Sequence, residues 1–94
     1  MAEASGLPHL DAANPDKGPT TGGTFVTLTG ELLQHVNDVT FSGNKASNVK
    51  AVDPSKVTCI SPPGSLGLSE VIAENDAGEK SNHVDFTYIE PPPK

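Results

Sequence analysis

Cys59 is the single thiol of this 94-residue chain, and His9, His35 and His83 are its three imidazoles. A thiol beside an imidazole is the smallest nucleophilic pair a protein can build, because the base takes the proton that makes the thiolate. Here the local pattern argues against such a pair. In Lys56-Val57-Thr58-Cys59-Ile60 the alternation of a strand puts Val57 and Cys59 on one face, so the thiol reads as a small core hydrophobe. The histidines have no i, i+2 or i, i+4 partner that would make a metal pair, and the acidic residues show no calcium-loop spacing. Gly22-Gly23 lacks the lysine and the following Ser or Thr of a phosphate-binding loop. These residues imply no catalytic site, no metal and no cofactor, and the chain is expected not to be an enzyme.

Charge narrows the choice of partner. Twelve acidic residues against six basic ones give a formal net charge of −6. The positive charges, Lys17, Lys45, Lys50, Lys56, Lys80 and Lys94, are scattered rather than clustered. Nucleic acid and anionic lipid are therefore poor partners. No apolar stretch approaches the ~20 residues that a membrane-spanning helix needs. MAEASGLPHL at the start lacks the basic end and apolar run of a secretion signal. One cysteine makes no intrachain disulfide. The core has to come from Val, Ile, Leu, three Phe and one Tyr, with no Trp.

The elements that would position these residues are short. Gly or Pro punctuates the chain every ten residues or so, and the segments between are rich in Val, Thr and Ile, which is the pattern of an all-β sandwich or barrel. Strands are expected over residues 7–13, 24–29, 38–42, 46–52, 56–60, 69–75 and 84–88. In the second of these Val26 and Leu28 share one face, with Phe25, Thr27 and Thr29 on the other. Residues 46–52 read as an edge strand or a switch between sheets, because polar residues break the pattern. Residues 16–19 read as loop, 31–35 as a single helical turn, and Asp76-Ala77-Gly78 as a hairpin tip. One domain over residues 8–90 is expected between tails at 1–7 and 91–94, the latter Pro-rich.

A larger pattern runs through these fragments. Asn14-Pro15, Gly18-Pro19, Gly22-Gly23-Thr24-x-Val26-Thr27-x-Thr29-Gly30, Val39-x-Phe41, Cys59-x-x-Pro62-Pro63 and Phe86-Thr87-Tyr88 together resemble the IPT/TIG family, from Pro8 to Tyr88. Ser42-Gly43 departs from the family's usual phenylalanine followed directly by glycine, and Leu32 stands where a phenylalanine is common. The resemblance implies an all-β, immunoglobulin-like β-sandwich with two antiparallel sheets of about seven strands. It does not imply one job. Such domains occur in receptor ectodomains, in Rel-type and NFAT transcription factors as dimerisation modules, in an exocyst subunit that binds Ral GTPase, in starch-processing enzymes, in bacterial surface proteins and in tailed-phage virions.

One feature points to a contact surface. If Val71 and Ala73 face the core, as the family register implies, Leu68 and Ile72 point outward on the same sheet as Thr40, Asp85 and Thr87. Two aliphatics on a solvent face make a candidate patch for binding another protein. The sequence thus suggests a non-catalytic interaction or structural module contacting protein in a larger assembly, in the first instance a stand-alone accessory domain on a virion or cell surface. The alternatives are an extracellular or carbohydrate-associated domain of a larger bacterial protein, and an intracellular dimerisation or GTPase-binding module.

Overall fold

The alternation seen in the sequence becomes two packed sheets in the computed structural model, which describes residues 7–91. Nine strands follow one another among the described residues: β1 (His9–Asn14), β2 (Lys17–Pro19), β3 (Phe25–Glu31), β4 (Val36–Phe41), β5 (Asn44–Lys45), β6 (Ser47–Asp53), β7 (Lys56–Ile60), β8 (Gly67–Asn75) and β9 (Lys80–Ile89). One sheet has the order β1-β3-β7-β6 and the other β2-β9-β8-β4-β5. The all-β, immunoglobulin-like class is as expected, with two more strands than the sequence suggested.

The core lies where the alternation placed it. Val26 and Leu28 of β3 and Val57 and Cys59 of β7 meet Val39 and Phe41 of β4, Val71 and Ala73 of β8, and Phe86 and Tyr88 of β9. Phe86 sits edge-on to both Phe41 and Tyr88, at centroid distances of 5.1 and 5.2 Å, the arrangement that ring quadrupoles favour. The Tyr88 hydroxyl donates to the carbonyl of Pro62, so the one polar atom these rings bring inside is satisfied.

Two local expectations are corrected, and a third is met. Residues 16–19 are not all loop: β2 pairs with β9, in parallel, through Thr87 N–H donating to the Asp16 carbonyl and Thr20 N–H to that of Ile89. This pairing uses backbone alone, so Lys-Gly-Pro gave no side-chain signal for it. Residues 31–35 form no helical turn. Leu32 adopts a φ of 59°, which breaks any right-handed helix, and Leu33 is instead buried, its N–H donating to the Pro54 carbonyl. The segment 46–52, expected to be an edge strand or a switch, falls on β6 at the edge of the four-stranded sheet, directly after β5 has paired with β4 in the other. Asn48, at a φ of 53°, lies in the irregular stretch where β6 begins.

One side chain sets a turn within a sheet and another ties the two sheets together. Asn75 accepts the N–H groups of Ala77 and Glu79, setting the tight turn that aligns β8 with β9. Asn82 of β9 then reaches the other sheet, accepting from the Leu10 N–H at 2.8 Å and donating to its carbonyl at 2.9 Å. The tails expected at 1–7 and 91–94 fall mostly on residues 1–6 and 92–94, outside the described ones; Leu7 and Pro91 are exposed.

Candidate contact surface

The residues with reactive chemistry come out as structural. Cys59 is buried on β7, and desolvation pushes its thiol from an ordinary 9.0 up to about 12. Burial, with Cys59 nearby, also raises the Tyr88 phenol. Both groups favour their neutral forms in the folded state, so the unfolded chain gives up these protons at lower pH than the folded one. Stability is then full below the unfolded value and falls as pH rises from about 9 towards 12. The expected result is an alkaline unfolding limb that Cys59→Ala makes shallower, measured by thermal melts at stepped pH; an unchanged limb would free Cys59 of that role.

Two of the histidines pair with surface acids. His9 Nε2 lies 3.1 Å from Asp11 and His83 Nε2 lies 4.0 Å from Asp85, with all four side chains exposed. Among the described residues no three His, Cys, Asp or Glu side chains converge on a point where a metal would sit. An open groove of about 290 Å³ runs between β1 and β9, lined by Asp11, Ala12, Ala13, Asp16, His83, Val84 and Asp85. Its carboxylates face solvent.

The outer face of the five-stranded sheet holds the five residues singled out from the sequence. Ser69, Val71 and Ala73 of β8 are buried, so Leu68, Glu70, Ile72 and Glu74 take the other face by alternation. Leu68 lies opposite Thr87, and Ile72 lies opposite Thr40 on one side and His83 on the other. Asp85 is paired with Glu70. The structure therefore puts all five residues on one face but not into one apolar patch. Glu70 separates the two aliphatics, and Ile72 is half-buried, whereas Leu68 is 71% exposed.

The apolar surface continues in the other direction. Leu66 is 58% exposed and Ile89 43%, and Ile89 is paired with Pro19 on β2. Sequence reasoning missed both. Ile89 was legible as the outward neighbour of Tyr88, while Leu66 stands outside any alternating run. Beside this patch, Glu70 and Asp85 are like charges directly across a ladder, an arrangement that lowers the stability of the sheet. At the far edge Lys45 offsets Asp38 at 3.3 Å.

The opposite face of the sandwich differs. On the four-stranded sheet Phe25 is 60% exposed and directly opposite Ile60, Thr27 is opposite Thr58, and Lys50 is paired with Thr58 from the other side.

Comparison with known proteins is consistent with this geometry. The structure of the plexin A4 full extracellular region superposes with a TM-score of 0.75 at 24% identity, over 89% of this chain and 7% of that one. The solution structure of the TIG domain from human nuclear factor of activated T-cells, cytoplasmic 4, gives 0.75 at 20% identity, over 96% and 94%. Human plexin-A2 is 34% identical over 88 residues, which make up 90% of this chain and 5% of plexin-A2. The chain thus spans about one twentieth of the length of the curated relatives it matches. The model of the IPT/TIG domain matches residues 8–88, from the residue before β1 to the last buried aromatic of β9, and the chain belongs to the IPT/TIG domain family.

Proposed function

We propose that this domain is a contact module of an extracellular protein and that the outer face of its five-stranded sheet makes the contact with another protein. As an IPT/TIG domain the chain is an immunoglobulin-like module without catalytic chemistry of its own. The observation that carries the choice of face is Leu68. It is a leucine 71% exposed within a strand, with Leu66 two residues before it and Ile89 at the end of the neighbouring β9 also exposed. An extracellular setting is supported by the likeness to plexin-A2 and to the plexin A4 extracellular region. The same likeness supports a module within a longer chain over the stand-alone virion domain that the sequence first suggested. A sugar-binding role has less support, because Phe41, Phe86 and Tyr88 are buried and Phe25 alone offers an exposed ring.

The test is staining of cells with a fluorescent tetramer of the domain. Leu68→Asp keeps the fold, since its side chain already sits in water, and staining falls by about tenfold or more, the loss of a contact worth roughly 1.4 kcal/mol or more. Ile72→Asp weakens staining less, its side chain being half-buried. Equal staining by wild type and Leu68→Asp would assign the contact elsewhere.

A further inference from the structure

We propose that a second copy of this domain stacks its four-stranded face on the five-stranded face of the first. The inference rests on the reading of the Leu68 face as a contact surface and names an occupant for it. Each outer face carries exposed apolar groups near one end of the sandwich: Leu68 and Ile89 on the five-stranded sheet, Phe25 opposite Ile60 on the four-stranded one. It is the same end in both. Ser61 N–H donates to the Thr24 carbonyl, Gly64 N–H to that of Thr20 and Thr20 N–H to that of Ile89, tying the Phe25 end of one sheet to the Ile89 end of the other.

The charges follow in step. One dipeptide along β8 from Leu68, roughly 7 Å, the five-stranded face presents Glu70 opposite Asp85. One dipeptide along β7 from Ile60, the four-stranded face presents Lys50, paired with Thr58. Two such faces laid together with their strands aligned within about 30°, as packed sheets lie, put β3 and β7 on β8 and β9 and apolar on apolar. Lys50, on the neighbouring β6, then lies about 4.8 Å to the side of the carboxylates, within reach of its long side chain. The Glu70–Asp85 pair, unfavourable in a lone domain, then gains a cation beside it.

The size and symmetry of the contact set its behaviour. Four strands about 4.8 Å apart and some six residues long cover roughly 400 Å² on each side, about 800 Å² in total and below the roughly 1,200 Å² at which stable interfaces begin. Association is therefore weak. The two faces differ, so the contact is head-to-tail, each pair keeps a free face at either end, and short ladders form rather than a closed dimer.

Sedimentation equilibrium of the 94-residue chain up to about 1 mM, where contacts of this size associate, reads the outcome. The average mass rises with concentration and drops back when salt is raised. Lys50→Glu and Glu70→Lys each keep the fold, both positions being exposed, and each weakens self-association by about tenfold or more. An equimolar mixture of the two variants restores it, because every contact between unlike copies pairs opposite charges. A single-chain mass at every concentration, or a mixture that associates no better than its parts, overturns the stacking. Cell staining that still depends on Leu68 in that case leaves the contact surface standing with a different occupant.

Discussion

Phe86→Ala is expected to remove a large part of the stability of this domain. The ring is fully buried on β9 and holds Phe41 and Tyr88 on either side, each edge-on to it. Truncating a buried Phe costs about 3–5 kcal/mol, part transfer and part cavity. A domain of this size has roughly 5–14 kcal/mol in total. The variant should melt about 20 °C lower or fail to fold, by circular dichroism, since each kcal/mol moves the midpoint by about 4–8 °C in a small domain. Three of the four aromatic rings of the chain meet here, and no Trp is present to share the role. A midpoint within a few degrees of wild type would mean that the two layers do not close over Phe86.

The second large effect is at Gly22. Its φ is +81°, and a Cβ there would lie 2.7 Å from the Pro63 nitrogen and 2.8 Å from the Pro62 carbonyl carbon. Gly22→Ala therefore meets two separate obstacles, a left-handed backbone and a wall of main chain that no rotamer relieves. Gly23 supplies the control. Its φ is +86°, but a Cβ there meets nothing within 4 Å. Gly23→Ala should lose about 1–2 kcal/mol, the conformational cost alone, and Gly22→Ala about 3 kcal/mol, with the clash added. Chemical denaturation of the pair measures the difference directly. Equal losses would show that the chain at Pro62-Pro63 does not press on this turn.

These effects also mark which parts of the fold were legible in the sequence. β3, β7, β8 and β9 were, because one face of each is buried and their side chains alternate with a period of two, as in Val26 and Leu28 or Phe86 and Tyr88. β2 was not, since Lys17-Gly18-Pro19 is held by backbone bonds that leave no trace in side-chain type. Leu33 was read into a helical turn, because its burial depends on the distant Pro54 carbonyl that receives its N–H. The contact surface was half legible. Alternation from Val71 and Ala73 gave the direction of Leu68 and Ile72. It did not give their neighbours across the sheet, which depend on the register set by the Asn75 turn. The neighbours of Ile72 and the placing of Asp85 opposite Glu70 follow from that register.

The register has a functional reading too. A ladder selected for stability alone would not place Glu70 across from Asp85, nor leave Leu68 in water beside Thr87. Both features fall on one face, and both become favourable once a surface with an apolar centre and a nearby cation covers them. The inner face carries the fold and the outer face is free to carry recognition.

Carbene footprinting of the dilute domain, free and bound as a tetramer on stained cells, tests the choice of that face most directly. Heavy labelling of Leu66, Leu68 and Ile89 is expected in the free chain, with loss of most of it on binding and Phe86 unlabelled in both states. Leu68 labelled as strongly in the bound domain as in the free one would contradict it.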